Sequence, residues 1–161
     1  QIIVVDIECT CWEGSTPPDQ ETEIIEIGIC RLVPQTGERF GQRSILIKPE
    51  RSTVSPFCTQ LTTLTQAQVD QGVSFAVACA TLEKEYKTRQ RIWASYGDFD
   101  RQQIERQCAA LGINYPFGST HLNIKSVFTL LRGMHHDVGQ AQALQLMELP
   151  QEGTPHRGHD A

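Results

Sequence analysis

The feature that most constrains this chain is an apolar run near its start that carries two acidic residues. Residues 2–8 read Ile-Ile-Val-Val-Asp-Ile-Glu, which predicts a central strand buried on both faces of a sheet. Asp6 and Glu8 stand two positions apart, so their side chains face the same way with Cα atoms about 6.6 Å apart. Two like charges that close do not stay ionised in an apolar site without compensation. The pattern therefore predicts either a site for a hard cation such as Mg²⁺ or Mn²⁺, or a strand end where both acids face solvent.

Composition restricts the remaining possibilities. The chain has 161 residues, 39% of them hydrophobic and 20% charged, which is typical of one globular domain of roughly 150 residues. The net charge of −5 argues against a large unspecific duplex-binding surface, although a small groove for a short strand remains compatible with it. No apolar run approaches the ~18 residues of a membrane-spanning helix, and no secretory signal is visible.

The six cysteines lie at positions 9, 11, 30, 58, 79 and 108. They form no C-x-x-C pair and no zinc-type ligand spacing. The pattern predicts reduced, mostly buried thiols in a cytoplasmic protein. A thiol-based redox role is the weakest of the functional readings.

The distribution of apolar and turn residues predicts an α/β domain with a mixed sheet covered by helices. Strands are expected over 24–33, 40–47 and 91–95, and an irregular stretch over 49–63. Helices are expected over 65–69, 75–88, from Asp98 or Asp100 to Leu111, and over 124–131 and 138–146. A last helix would begin near Gly153 and remain incomplete at Ala161.

Two further segments carry groups suited to catalysis. Asp98 and Asp100 follow a predicted strand and open a predicted helix, where an acid serves either as a helix cap or as a metal ligand from a second strand end. His156 lies in a polar stretch near the end of the chain, either as an exposed side chain or as a general base beside a metal-bound water. Three acids and one histidine together meet the requirements of two-metal phosphodiester hydrolysis.

In sequence order, these segments resemble the DEDDh 3′–5′ exonucleases, which have a ribonuclease H-like fold. The resemblance is to the branch of histone-mRNA and small-RNA 3′ exonucleases and bacterial KapD-type proteins, and it covers nearly the whole chain. The matching segments are Val4-Val5-Asp6-Ile7-Glu8-Cys9-Thr10-Cys11, Glu23-Ile24-Ile25-Glu26-Ile27-Gly28, Ser55 to Gln66, Ser95-Tyr96-Gly97-Asp98-Phe99-Asp100 and His156-Arg157-Gly158-His159-Asp160.

The resemblance implies a single exonuclease domain over residues 1–161 that acts on single-stranded RNA or DNA 3′ ends, with RNA favoured. It implies two Mg²⁺ or Mn²⁺ ions held by Asp6, Glu8, Asp100 and Asp160, with His156 as the general base. Asp98 would then be a neighbour of the site rather than a ligand, and Phe57 to Gln66 would lie near the terminal nucleotide. Trp12 and Phe99 offer either stacking surfaces for bases or ordinary packing.

One position departs from the family pattern. The last acidic ligand is expected five residues after the histidine, where this chain has Ala161. Three explanations remain open. Asp160 is the metal ligand, with the spacing from the histidine shortened by one residue. Alternatively, alanine replaces the acid at position 161, or residues including the closing C-terminal helix are missing. The alternative functions are therefore a catalytically impaired nucleic-acid-binding module of the same fold, and a metal-dependent hydrolase of small phosphodiesters.

Overall fold

The computed structural model describes residues 1–150. Its strands are β1 (Ile2–Cys9), β2 (Ile24–Val33), β3 (Glu38–Leu46), β4 (Trp93–Ser95) and β5 (His121–Asn123). Its helices are α1 (Pro56–Thr62), α2 (Gln66–Val69), α3 (Phe75–Thr81), α4 (Phe99–Leu111), α5 (Ile124–Leu131) and α6 (Gln140–Leu146). A π-helical turn over Leu82–Tyr86 and a 3₁₀ turn over Thr88–Gln90 follow α3.

The five strands form one mixed sheet in the order β3-β2-β1-β4-β5. β1 pairs with β2 and β2 with β3 in antiparallel fashion, whereas β4 is parallel to both β1 and β5. The prediction of an α/β mixed sheet is confirmed. Because β1, β4 and β5 run in the same direction, the residues that follow each of them gather at one edge of the sheet. Asp98 and Asp100, which follow β4, thereby approach the end of β1.

The two faces of β1 differ, and the prediction of burial on both faces is wrong in part. Ile3, Val5 and Ile7 lie on a fully buried face inside the main apolar core. Ile2 and Asp6, on the other face, are only half-buried. The apolar run conceals this difference because β-branched residues occupy both faces of the strand.

The helix predicted over 75–88 forms in two parts. Ser74 accepts a hydrogen bond from the Val77 N–H at the start of α3, and the helix widens into the π-helical turn before Lys87 ends it with φ of 56°. The predicted inward stripe is confirmed, since all of its members are buried: Phe75, Ala78, Cys79, Leu82 and Tyr86. Burial periodicity survives the change of helix type because the side chains still point toward the sheet.

Two elements were not predicted. The stretch 49–63 contains α1, whose start is defined by Ser55 as the cap and Pro56 in the first turn. This pair is a helix-start signal that the sequence displays. The other is β5, whose three residues are too few to show a periodic pattern. The helices over 65–69 and 124–131 are confirmed, and the one predicted over 138–146 begins at Gln140.

The helices within residues 1–150 are all too short or too polar to cross a bilayer. All six cysteines are free thiols, and only Cys11 among them is more than slightly exposed. The helix predicted to start near Gly153 lies outside the described residues.

Candidate active site

Asp6 and Glu8 lie near the end of β1 and face the same side of the sheet. On the neighbouring strand β2, Asp6 stands opposite Gly28 and Glu8 stands opposite Glu26. Glycine has no side chain, so Gly28 places none against Asp6 across the strand pair. Glu8 is only 8% exposed, which makes the arrangement costly unless cations or hydrogen bonds compensate its charge.

Asp100 reaches this strand end from the first turn of α4. Its Oδ1 accepts a hydrogen bond of 3.0 Å from the backbone N–H of Ile7, the residue between Asp6 and Glu8. The carboxyl group is 6% exposed. Burial raises its pKa to about 6, against the opposing effect of hydrogen bonds from its own amide, the Ile7 amide and the Ser95 hydroxyl. The raised pKa means that burial disfavours the charged form of this carboxyl group, and a nearby cation would favour it.

Asp98 has the opposite environment. Its two oxygens accept hydrogen bonds of 2.8 and 2.7 Å from the guanidinium group of Arg101, and a third comes from Gln102. The Arg101 bonds are the main cause that holds the pKa of Asp98 down at about 2. In the described part of the chain its side chain makes no capping bond to the amides of α4. Asp98 therefore occupies the N-cap position of α4 as predicted, but its carboxylate is paired with Arg101 and Gln102 rather than with the amides of the helix.

Glu26 is a buried acid to which the sequence reasoning assigned no role. It is fully buried, faces Glu8 across the β1–β2 pair, and accepts a short hydrogen bond from the Ser44 hydroxyl on β3. The signal was available, because Glu26 is an acid within an apolar strand just as Asp6 and Glu8 are. The Ser44 hydroxyl gives this buried carboxyl group a hydrogen-bond partner on β3.

Helix α1 is attached directly to the end of β1. The Ser55 hydroxyl donates a hydrogen bond of 2.6 Å to the carbonyl of Cys11, and the Cys58 thiol lies 3.4 Å from the carbonyl of Cys9. Phe57 and Leu61 on this helix remain 38% and 40% exposed. The segment predicted to lie near a terminal nucleotide therefore contacts the residues that follow Glu8 in the chain, and it presents two apolar side chains to solvent.

An open cavity of about 270 Å³ lies beside the same strand end. Trp12 and Phe99, the two aromatic residues singled out from sequence, both line it together with Thr10 and Thr22. Phe99 is 57% exposed, so its ring is available to a ligand rather than committed to packing. The hydroxyl of Thr10 holds the rim by accepting from the Glu23 amide and donating to the Glu21 carbonyl.

Burial disfavours the nucleophilic thiolate form of the cysteines near the site. Burial, followed by the charges of Glu8 and Asp100, raises the pKa of the Cys9 thiol well above its ordinary value. Burial, with the neighbouring Cys58, raises the pKa of Cys11 to about 12. Protonated thiols are poor nucleophiles at neutral pH, which argues against thiol chemistry here.

His121 is a further residue that sequence reasoning missed. Its Nε2 lies 2.9 Å from the Ser95 hydroxyl, and its ring packs on Trp93 with 4.2 Å between ring centroids. Burial lowers the pKa of His121, which favours a neutral imidazole at neutral pH. No sequence signal connects residues 95 and 121, because their contact depends on the pairing of β4 with β5.

The predicted residues His156, Asp160 and Ala161 lie outside the described residues. Within residues 1–150, no group of three or more His, Cys, Asp or Glu side chains is arranged to hold a metal ion. The structure thus gathers Asp6, Glu8 and Asp100 at one sheet edge without completing a metal centre from these acids alone.

Comparisons with known proteins agree with this geometry. The human "3'-5' exoribonuclease 1" is 30% identical over 173 residues, covering 99% of this chain and 48% of that protein. The Drosophila melanogaster "3'-5' exonuclease Snipper" is 34% identical over 92 residues, 56% of this chain and 33% of the fly protein. The chain therefore spans half or less of the length of these relatives.

Solved structures extend the likeness to the fold. The nuclease domain of 3'hExo, described as a DEDDh family member bound to rAMP, superposes with a TM-score of 0.84 at 27% identity, covering 99% of this chain and 84% of that one. A structure of 3'-exonuclease in 3'-end specific recognition of histone mRNA stem-loop gives a TM-score of 0.83 at 26% identity, covering 99% and 75%. The predicted ribonuclease H-like fold is confirmed.

Exonucleases of the DEDDh type depend on divalent metal ions, which matches the acidic character of this sheet edge. The chain also matches the family described as Exonuclease (RNase_T) over residues 3–161. By its sequence and its fold, it belongs to the exonuclease family RNase_T, in the lineage of the 3′–5′ exoribonucleases.

Proposed function

We propose that this chain is the catalytic domain of a metal-dependent 3′–5′ exonuclease. It removes nucleotides from single-stranded 3′ ends, with RNA as the favoured substrate, and releases nucleoside 5′-monophosphates. The observation that carries the proposal is the hydrogen bond from the Ile7 amide to Asp100. This bond holds a buried carboxylate against the strand segment that bears Asp6 and Glu8.

The donor set fits divalent metal ions. Asp6, Glu8 and Asp100 offer hard carboxylate oxygens, which Mg²⁺ and Mn²⁺ prefer. Burial raises the pKa of Asp100, and a bound cation would offset that cost of its negative charge. The resemblance adds Asp160 to the ligands, and two ions to the site. Such ions take one or two carboxylates each and complete their shells with water and substrate phosphate. The three described acids therefore need not form a closed cage by themselves.

Each residue has a distinct task in the proposed reaction. Bound divalent ions supply Lewis acidity and lower the pKa of a coordinated water. Asp6, Glu8 and Asp100 hold the ions, and the buried position of Glu8 and Asp100 limits competition from solvent. His156 accepts the proton from the attacking water, as the resemblance implies. The backbone amide of Ile7 keeps the Asp100 side chain in a fixed position, so the carboxylate oxygens need little reorganisation during the reaction.

The substrate proposal is supported by the cavity at the end of β1, which is lined by Cys9, next to Glu8 in the chain, and by Phe99, next to Asp100. Its volume of about 270 Å³ suits a terminal nucleotide rather than a duplex, and Trp12 and Phe99 offer flat surfaces for a base. Base stacking on aromatic side chains is worth about 1–3 kcal/mol and tolerates any sequence. RNA is favoured because the human relative, which matches nearly the whole chain, is named an exoribonuclease.

The experiment that tests the proposal uses 5′-labelled single-stranded RNA and DNA of the same sequence, with Mg²⁺, with Mn²⁺ and with EDTA. We expect a ladder that shortens from the 3′ end, is faster on RNA, and is abolished by EDTA. The Asp6→Asn variant should lose the activity while retaining the fold by circular dichroism. Asp70→Asn is the matched control, because Asp70 is an exposed acid at the end of α2 and should leave the rate unchanged.

The alternative function is a catalytically impaired binding module, and Ala161 is the observation that favours it. In that case the chain binds single-stranded RNA without shortening it in any metal. Activity restored by Ala161→Asp would then identify the missing ligand. Cleavage of dinucleotides in preference to longer strands would instead indicate a small-phosphodiester hydrolase.

A further inference from the structure

One wall of the cavity at the end of β1 is held in place by side chains from other elements. Residues 21–24, which form this wall segment, lead into β2, and Thr22 among them lines the cavity. Directly after β1, the Thr10 hydroxyl donates to the carbonyl of Glu21 and accepts from the N–H of Glu23. The backbone on both sides of Thr22 is therefore bonded to a side chain from the end of β1.

Helix α4 supplies two buried glutamines to the same wall segment. Gln103 is 3% exposed and Gln107 is 7% exposed. The Nε2 of Gln103 donates a hydrogen bond of 2.9 Å to the carbonyl of Thr22. The Oε1 of Gln107 accepts one of 2.8 Å from the N–H of Ile24. A buried amide without partners is costly, and these bonds give each glutamine a backbone partner in the wall segment.

The two glutamines have opposite requirements. Gln103 must present its NH₂ group to a carbonyl, whereas Gln107 must present its oxygen to an N–H. The Oε1 of Gln103 in turn accepts from the guanidinium group of Arg106. Each amide is thus fixed in one orientation by the groups that it faces, so the roles of the two glutamines can be separated by substitution.

The Gln107 bond falls at an irregularity of the sheet. The register of β1 with β2 shifts between Glu8 and Cys9, and Ile24 stands opposite Cys9. Such bulges bend a strand and redirect the side chains next to them. Gln107 therefore fixes the backbone where the strand pair passes from the candidate metal ligand Glu8 to the cavity residue Cys9.

The same helix carries an aromatic residue of the cavity. Phe99, which lines the cavity with Thr22, begins α4 and lies four positions before Gln103, so the two share one face of the helix. The element that carries Phe99 is therefore bonded directly to the segment that carries Thr22. Asp100 has a separate attachment, the hydrogen bond from the Ile7 amide.

We propose that Gln103 and Gln107 are positioning residues for the terminal nucleotide. They hold Thr22 at a fixed place relative to Phe99 and so set the shape of the cavity in which the base binds. This inference rests on the proposed function, since it takes the cavity as the nucleotide site. Because Asp100 is held independently, loss of the glutamines changes nucleotide binding more than it changes the chemical step.

The test has three readouts in the 161-residue chain. The first is kcat and KM on single-stranded RNA. The second is the binding of adenosine 5′-monophosphate in Mg²⁺, followed by the fluorescence of Trp12, which lines the cavity, whereas Trp93 is fully buried. The third is hydrogen exchange of the Ile24 amide by NMR, which reports the Gln107 bond without any ligand.

Two pairs of variants separate the polar bonds from packing. Gln103→Met and Gln107→Met keep the length of the side chain and remove its amide. Gln107→Glu retains an acceptor for an N–H, whereas Gln103→Glu turns an oxygen toward a carbonyl. Thr88→Val is the matched control, because Thr88 is fully buried and donates to the carbonyl of Pro116, and neither residue lines the cavity.

We expect each Met variant to raise KM and to weaken nucleotide binding by about 5- to 20-fold, less than the full loss of stacking on an aromatic ring would cause. The change in kcat should be smaller. Exchange of the Ile24 amide should become faster in Gln107→Met. Gln107→Glu should stay close to the wild type, and Gln103→Glu should bind as weakly as Gln103→Met. Thr88→Val should lower the melting temperature without changing KM.

Several outcomes would overturn the inference. Wild-type KM and nucleotide affinity in both Met variants would show that the cavity does not depend on the glutamines. A fall in kcat at constant KM would show that they act on the acids instead. Should the Met variants fail to fold, the Glu variants decide, and equal effects of Gln103→Glu and Gln107→Glu would contradict the assigned roles.

Failure of the proposed function has a different signature. In that case the wild-type chain neither shortens RNA nor binds the nucleotide, although exchange of the Ile24 amide still responds to Gln107→Met. A cavity that binds the nucleotide equally well in the wild type and in both Met variants would overturn the positioning role alone.

Discussion

Two carboxyl groups lie at the start of helix α4, one on the side that faces solvent and one on the side that faces the sheet. Their pKa values are shifted in opposite directions. On the solvent side, hydrogen bonds from Arg101 lower the pKa of Asp98 to about 2. On the sheet side, burial raises the pKa of Asp100 to about 6. The two acids are separated only by Phe99. The difference shows that the pKa of a carboxyl group is decided by solvation and partners, not by its position in the chain.

The largest expected difference between the two sides is in catalysis. Asp100→Asn keeps the size and one acceptor oxygen of the side chain but removes the charge that would hold a metal ion. We expect kcat to fall by about 10³-fold or more, a loss of roughly 4 kcal/mol of transition-state stabilisation. Asp98→Asn should keep the wild-type rate. Equal losses in both variants would contradict the distinction between ligand and neighbour.

The second difference concerns stability without metal. The folded protein holds the Asp100 proton more tightly than the unfolded chain, whose carboxyl has a pKa of 3.8. The stability that this carboxyl contributes is therefore present below about pH 4 and is lost as the pH rises to about 6, by about 3 kcal/mol. Asp100→Asn has no charge to bury, so it should be more stable than the wild type at pH 8.

Urea unfolding in EDTA measures this difference. The advantage of Asp100→Asn should shrink as the pH falls toward 4, and added Mn²⁺ should stabilise the wild type more than the variant. Asp70→Asn is the control and should follow the wild type at each pH. A variant that is less stable than the wild type at pH 8 would mean that the buried carboxylate is already compensated without metal.

Substitution of Phe99 measures what the exposed side of this segment contributes to RNA binding. Phe99 is 57% exposed and lines the cavity at the end of β1. If it stacks on a base, Phe99→Ala should raise KM for RNA by roughly 5- to 100-fold, with little change in kcat or in melting temperature. Phe99→Trp should keep or lower KM. An unchanged KM in Phe99→Ala would mean that the base lies elsewhere.

The smallest expected effect is the stability change in Asp98→Asn. The Asp98–Arg101 pair lies largely at the surface, so its loss should cost less than about 1 kcal/mol at pH 7. The pKa of Asp98 is lowered from 3.8 to about 2, so its contribution is present above pH 4 and is lost as the pH falls toward 2. Thermal unfolding at low and at 1 M salt should show the difference only at low salt.

Much of the candidate site follows from local patterns in the sequence. Acids inside an apolar strand singled out Asp6 and Glu8, and the same signal marks Glu26, which received no role. Ser55 followed by Pro56 indicates the start of α1, although the stretch was predicted to be irregular. In these cases the physical cause lies within a few neighbouring residues, so the sequence contains the information.

Contacts between distant elements could not be predicted in this way. The connection between Ser95 and His121 depends on the pairing of β4 with the three-residue strand β5. Strands of three residues each are too short to show a periodic pattern in the sequence. Their pairing is stabilised by the surrounding packing. The half-burial of Asp6 likewise depends on which helices cover the sheet, not on the composition of β1.

The sequence by itself determined that a strand carries two acids, that two more acids follow a second strand, and that the order of these segments matches a nuclease family. The tertiary structure decided which acid of the second pair joins the first. Asp100 and the Ile7 amide are 93 positions apart, and only folding brings them to 3.0 Å. Burial and charge pairing arise from packing between remote elements, so they distinguish Asp98 from Asp100 where a local pattern treats them alike.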